Sequence, residues 1–364
     1  MSTLPPRLRR LTALLPKVEV EAFLVTDETN VKYLSGFTGD SSYLLVTAAG
    51  TTILSDGRYE TQIAQECEGI ASIIRTPSQF LPDLTQSALN DSGLKTIGIE
   101  SDHLTLSAFE FLSQRCQEME LVPVSGVVES LRMIKDENEI ETTRKAVSIA
   151  QRAFQSVIPM LTPADTEREI AHELEAKMRC LGAVGCSFAP IVAAGPAGAL
   201  PHYHPSDSVI GDAGTLLIDW GANYKGYASD LTRTLHRPHA TEKFQRAYQA
   251  VLDAQLAAIA EIRPGVEASQ VDAAARKVLE RAGMADAFKH GLGHGTGLQI
   301  HESPRMSAIS EETLASGMII TVEPGVYFEG EFGIRIEDDV LVTETGHEVL
   351  SCLPKGLDDC RLIL

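Results

Sequence analysis

Two aspartates open the question of chemistry. In GTLLIDWGANYKGYASDLTRTL, Asp219 ends the apolar run Leu216-Leu217-Ile218, and Asp230 follows eleven residues on (219 to 230) beside a second β-prone run. Burying one carboxylate is costly, and placing a second beside it adds like-charge repulsion. Thr215 to Tyr224 alternates as a strand does, Lys225-Gly226 reads as a tight turn, and Tyr227 to Leu235 reads as the returning strand. In such a hairpin an odd separation puts both side chains on one face, opposite or diagonal, roughly 5–8 Å apart. Taken alone, the stretch reads equally well as an exposed face with two solvated acids.

Downstream residues decide between these readings. FKHGLGHGTGLQIHESP interleaves His290, His294 and His301 with glycines, which let backbone pass close to a neighbour. Glu323 ends the apolar run Met318 to Val322, ahead of Pro324-Gly325. Glu337 sits between Ile336 and the run Val340-Leu341-Val342, with Arg335 two positions before it. A glutamate in an apolar β context is a burial anomaly. Asp219, Asp230, His294, Glu323 and Glu337 together form a hard-ligand set suited to Mn²⁺ first, and also to Co²⁺, Zn²⁺ or Fe²⁺. Four ionised carboxylates repel one another, and two divalent cations restore neutrality. Two such cations a few ångströms apart activate water and polarise a carbonyl, which is hydrolytic chemistry.

The elements that must position these residues fall into two blocks. The chain has 364 residues, a length that suggests two domains. Strand-like EAFLVTD, SSYLLVTAAG, TTILSDGRY, IASIIRT, KTIGIE and LVPVSG come first, with helices expected over Leu8–Leu15, Tyr59–Glu66 and TLSAFEFLSQRCQEM. Ser78–Ser92 reads as a polar connection. This is an α/β domain over 1–127. From 128 to 364 the texture is α+β. Helical periodicity runs from Ile140 to Val157, and further helices are expected over Thr166–Met178, Ala240–Ile262 and Ala268–Ala282. Cys186–Pro205 reads as loop or strand-plus-loop, and strands follow Lys289.

Composition excludes several function classes. The net charge is −19, from 50 acidic against 31 basic residues, which disfavours nucleic acid and anionic membranes as partners. No run of eighteen apolar residues is present, so no transmembrane helix is expected. The N-terminus lacks a signal-type apolar region. The six scattered cysteines read as reduced thiols, and the expectation is a cytoplasmic protein.

Five motifs then carry a family resemblance: IDWGANYKGYASDLTRT, ALPHYHP, HGLGHGTGLQIHESPRM, TVEPGVY and GIRIEDDVLVT. In order and spacing they resemble the pita-bread metallopeptidases, the family of Xaa-Pro dipeptidase (prolidase), aminopeptidase P and methionine aminopeptidase. NVKYLSGFTG and SDGRYETQ resemble the small N-terminal domain of the prolidase and aminopeptidase P branch. The resemblance implies an α+β pita-bread catalytic domain behind a smaller α/β creatinase/prolidase-like domain, a homodimer, and hydrolysis of Xaa-Pro bonds in dipeptides or short peptides. Asp219 would bind one metal, Asp230 and Glu337 would bridge two, and His294 and Glu323 would complete the second site. Glu323 would also shuttle a proton. His202 and His301 match histidines that contact substrate and the developing oxyanion. His290 takes a supporting or substrate-binding place, and Arg335 orients Glu337 or meets a substrate carboxylate, for which Arg305 is a second candidate.

Neighbouring residues have plainer readings. His204 lines the rim, and His236, His239 and His347 are solvated or turn residues. Thr232 and Arg233 serve the hairpin's hydrogen bonding, and Asp338 and Asp339 cap or solvate a strand. Gly36–Asp40 is a turn or, in a dimer, a rim element of the neighbouring site. The rival readings are a dimetal aminopeptidase or amidohydrolase without proline specificity, a metal-free creatine amidinohydrolase, and a non-catalytic binding protein. In the last two the ligand positions are replaced, whereas here all five are ligand-competent.

Overall fold

The computed structural model describes residues 5–363. The chain divides into two compact units, 1–132 and 133–364, five residues beyond the boundary expected after 127. The helix Val127–Arg132 causes the shift, because it is tied to the first unit. Tyr33 Oη donates to Leu131 O at 3.0 Å, and Arg132 Nη1 donates to Asn30 Oδ1 at 2.8 Å.

In the first unit the helices are α1 (Pro6–Thr12), α2 (Glu28–Ser35), α3 (Glu60–Glu66), α4 (Leu81–Ser92), α5 (Leu106–Arg115) and α6 (Val127–Arg132). The strands are β1 (Ala22–Val25), β2 (Tyr43–Thr47), β3 (Thr51–Asp56), β4 (Ala71–Arg75), β5 (Thr96–Glu100) and β6 (Glu120–Val124). They form one sheet in the order β4-β3-β2-β1-β5-β6, antiparallel at its centre and parallel at both edges. Ser78–Ser92 is not merely a polar connection, since α4 occupies most of it. Gly36–Asp40 folds on its own domain: Thr38 N donates to Glu66, and Tyr59 Oη donates to Asp40.

The second unit packs α7 (Glu137–Val157), α8 (Glu167–Cys180), α9 (Glu242–Glu261) and α10 (Ala268–Arg281) against curved sheets. β7 (Gly185–Cys186), β10 (Ala222–Tyr224) and β11 (Tyr227–Ala228) make one sheet. β8 (Ile191–Ala194), β9 (Thr215–Trp220) and β12 (Leu231–His236) make another. β13 (Gly293–Gly295), β14 (Glu302–Met306), β15 (Ile319–Val322), β18 (Asp338–Val342) and β19 (His347–Val349) form a five-stranded sheet, and β16 (Gly325–Phe328) pairs with β17 (Phe332–Arg335).

Strand alternation separates core from cleft. Along β9, Leu216, Ile218 and Trp220 enter the main core beneath the helices, while Asp219 faces the other way. Trp220 stacks on Phe154 of α7 with ring centroids 4.3 Å apart, and its Nε1 donates to Ala150 O. On β15 and β18, Ile320, Val322, Val340 and Val342 enter the same core. Among the described residues no helix is long and apolar enough to cross a membrane.

Candidate metal centre

The hairpin register decides the opening question. Asp219 pairs with Thr232, and Tyr224 pairs with Tyr227 around the turn Lys225-Gly226, both of positive φ. Asp230 therefore lies diagonal to Asp219, on the same face. The strand breaks between β9 and β10 at Gly221, where the hairpin bends sharply onto itself. A Cβ there would sit 1.8 Å from Ser229 O, so only glycine allows Asp230 to be drawn in.

The other ligand candidates arrive on separate strands. β12 meets the five-stranded sheet where Glu337 N donates to Thr232 O. Thr232 Oγ1 donates to Glu337 Oε2 at 2.6 Å. Glu323 follows the last residue of β15, and Thr321 Oγ1 donates to its Oε1. His294 lies in β13, whose Gly293 leaves no room for a Cβ against Thr321 O, 2.2 Å away. Asp219, Asp230, His294, Glu323 and Glu337 thus line one cleft of about 280 Å³, with His202, His290, His301 and Arg335.

These residues fit cations. Asp230, His294 and Glu337 each bring one ligand atom to within 4.8 Å of the others. His294 Nδ1 lies 3.0 Å from Gly295 O, so it carries the proton and leaves the Nε2 lone pair free. That lone pair faces Asp230 Oδ2 at 3.6 Å and Glu323 Oε1 at 3.5 Å. Burial pushes the imidazole down to about 4, so it is neutral at physiological pH. Acceptors face acceptors around a space that a cation satisfies, or, without one, protons retained on the carboxyls. Asp219 Oδ1 is also buried with no hydrogen-bond partner. Burial, then the neighbouring carboxylates, holds Asp230 and Glu337 well above the usual carboxylate range. Burial lifts Glu323 to about 8 against the pull of Arg335.

Several expectations change here. Arg335 is committed to the protein: Nη2 donates to Asp219 Oδ2 at 2.5 Å, Nη1 to Tyr327 Oη at 2.8 Å, and Nε to Thr232 Oγ1 at 3.1 Å. It orients Asp219, and three of its five N–H donors are engaged by the protein. His290 is likewise occupied, because Nδ1 donates to Gly291 O and Nε2 accepts from Tyr327 Oη. It lines the cleft with both ring nitrogens engaged by the protein, which is the supporting place of the two expected. Asp338 and Asp339 are buried, not solvated. Asp338 pairs with Arg233 and Lys355, and Asp339 Oδ2 accepts from Asp230 N at 2.9 Å. Thr232 and Arg233 consequently serve Glu337 and Asp338 as well as the hairpin. His236 too is buried, between backbone carbonyls of Arg237 and Leu357.

His202 and His301 are exposed at the mouth of the cleft. Burial and the nearby His202 depress the His301 imidazole. Tyr327 was present in the motif TVEPGVY, but nothing in the sequence shows that its hydroxyl links Arg335 to His290.

Residues 141–344 match metallopeptidase family M24, and residues 7–134 match the creatinase/prolidase N-terminal domain. The chain belongs to the M24 metallopeptidases. Its fold is the creatinase-type N-terminal domain followed by the pita-bread domain, and this family is dimetal-dependent. The chain is similar to the solved Xaa-Pro dipeptidase from Bacillus anthracis, at 36% identity and TM-score 0.93, covering 96% of this chain and 98% of that one. It is similar to the X-Pro aminopeptidase from Thermotoga maritima, at 35% identity and TM-score 0.87, covering 96% and 99%. The Xaa-Pro dipeptidase of Pyrococcus horikoshii is 34% identical over 352 residues, 96% of this chain and 98% of that protein.

Proposed function

We propose that this M24 peptidase hydrolyses Xaa-Pro bonds at the N-terminus of dipeptides or short peptides, with two divalent cations, Mn²⁺ foremost. The observation that carries the reading is the convergence of Asp219, Asp230, His294, Glu323 and Glu337 on one cleft with two histidines at its mouth. The Xaa-Pro names of relatives matched over nearly the whole chain support the bond specificity.

In this reading Asp219, Asp230, His294, Glu323 and Glu337 would hold the two cations. When bound, the cations supply an activated water and a Lewis acid for the scissile carbonyl. The chain's own side chains do the rest. Glu323, half-buried at the cleft wall, would hold the water's proton and pass it towards the leaving nitrogen. His202 and His301 offer N–H groups to the charge that develops on the carbonyl oxygen. A bond to proline has no N–H, so a site that grips only the carbonyl side loses nothing with it. With Arg335 held by Asp219, the exposed Arg305 of β14 is the second candidate cation for a substrate carboxylate; it already lowers the His301 imidazole.

The test is a peptide panel: Ala-Pro, Ala-Pro-Ala and Ala-Ala, each with Mn²⁺-loaded protein. Cleavage of the proline peptides at least tenfold faster than Ala-Ala is expected. Equal rates would remove the proline specificity, and no cleavage of any peptide would remove the peptidase reading.

A further inference from the structure

His202 makes no hydrogen bond of its own among the described residues, yet its ring lines the cleft. Its position must therefore come from the backbone that carries it. That backbone is the segment from Ala194, at the end of β8, to Ser208, and it is gathered by one side chain in another element. Glu167 is the first residue of α8 and is buried, with 1% of its surface exposed. Its Oε1 accepts from Ala194 N at 2.8 Å. Its Oε2 accepts from Tyr203 Oη at 2.8 Å, Ser206 N at 3.0 Å and Ser206 Oγ at 2.7 Å. The contacts fall before, beside and after His202. Among the described residues no ion pair to Glu167 is seen, and the neighbouring Arg168 pairs with Asp207. An anion at a helix N-terminus is favourable there, and hydrogen bonds to an ionised acceptor are the strong kind. The helix adds two backbone bonds to the same segment, from Glu167 N to Ser208 O and from Arg168 N to Ser206 O.

We propose that Glu167 is a positioning residue for catalysis: it fixes the Ala194–Ser208 loop so that the His202 imidazole meets the reacting carbonyl. The proposal rests on the role given to His202 above. Glu167 touches neither substrate nor the carboxylate cluster and acts only through the loop. A catalytic group displaced by about an ångström loses much of its effect, which is why an anchor of this kind matters to rate. Since β8 pairs with β9, with Ile191 opposite Asp219, a general loosening of the scaffold would reach the metal ligands too. The two roles therefore predict different data.

The experiment compares wild type, Glu167→Ala, Glu167→Gln, His202→Ala and the double variant Glu167→Ala/His202→Ala. It records kcat and KM for Ala-Pro, Mn²⁺ bound per chain, and amide hydrogen exchange of 194–208 in the metal-free proteins. Glu167→Ala is expected to lower kcat roughly tenfold to a hundredfold, within the range of a positioned acid–base or oxyanion group. Bound Mn²⁺ stays at the wild-type level. Exchange at Ala194 and Ser206 rises, and Glu167→Gln, which keeps one strong acceptor, recovers part of both effects. In the His202→Ala background Glu167→Ala costs less than about twofold more. If Glu167→Ala does not fold, Tyr203→Phe and Glu167→Gln carry the same comparison. An equal loss in both backgrounds, a fall in bound Mn²⁺, or unchanged exchange would overturn the positioning role while leaving His202 in place. If His202→Ala retains wild-type kcat, the role of His202 falls and the positioning proposal falls with it, but Xaa-Pro hydrolysis does not.

Discussion

Arg335 Nη2 lies 2.5 Å from Asp219 Oδ2, and both side chains are almost wholly out of solvent. The guanidinium brings a permanent positive charge to a wall of carboxylates. It fixes which Asp219 oxygen is consumed by the protein and which, Oδ1, is left for a ligand. Lysine would keep the charge but not the fork that also reaches Tyr327 and Thr232. Arg335→Lys should lower kcat roughly tenfold to a hundredfold. Arg335→Ala should cost more, because it leaves a buried carboxylate unpaired. Steady-state kinetics beside elemental analysis of the dialysed variants checks this, and wild-type kcat in Arg335→Lys would contradict it.

The metal-free protein should weaken as pH rises above neutrality. Glu323 and Asp339 sit at about 8 in the fold, and Asp230 and Glu337 are raised too. An unfolded chain releases these protons near pH 4, whereas the folded chain holds those of Glu323 and Asp339 until about pH 8. Stability from this source is complete below the unfolded value and is lost as pH climbs through the folded one. The depressed His290 and His294, at about 4, act in the opposite sense, but only between about pH 4 and 6.5, so pH 7 to 8.5 reports the carboxylates. Calorimetry of chelated protein should show Tm falling across that window, with a shallower slope in Glu323→Gln. Bound cations should reverse the sign, because they require the ionised ligands.

Gly221→Ala should be disruptive although the change is one methyl group. Its Cβ would overlap Ser229 O and Ser187 Oγ, and backbone has to move to admit it. A destabilisation of about 3 kcal/mol is expected, several degrees in Tm. Because the displaced segment precedes Asp230, bound metal should fall as well. Thermal melts and metal analysis together test both statements.

Arg305→Gln separates the two kinds of proline substrate. If Arg305 meets the free carboxylate of a dipeptide, KM for Ala-Pro should rise about tenfold or more while kcat changes little. Ala-Pro-amide, which lacks that charge, should be unaffected. Equal changes for both substrates would remove this role.

Much of the site was legible because strand arithmetic is rigid. A two-residue turn at Lys225-Gly226 and an odd separation put Asp219 and Asp230 on one face. Glu323 and Glu337 stood out as carboxylates in apolar β runs, and both are in the cleft. Partners distant in sequence were not legible. Nothing near Arg335 announces Asp219, and nothing near Asp230 announces that Asp339 accepts from its N–H. The helices α2 and α4 were missed for local reasons. α2 is short and sits between strands, although Asp27 caps its start and Gly36 takes positive φ at its end. α4 starts after Phe80, without a Ser, Thr, Asp or Asn cap to mark it. His236 reads as solvated in sequence because its burial depends on the carbonyl of Leu357, far along the chain.

The central claim is that the buried carboxylates around Asp230 hold two divalent cations on which peptide hydrolysis depends. The most direct measurement titrates Mn²⁺ into chelated protein, following bound metal and Ala-Pro hydrolysis in the same samples, with Asp230→Asn alongside. The account predicts two Mn²⁺ per chain in the wild type, activity that rises with occupancy, and a variant that loses at least one ion and nearly all turnover. Full hydrolysis in chelated protein, or two ions and wild-type turnover in Asp230→Asn, would contradict it.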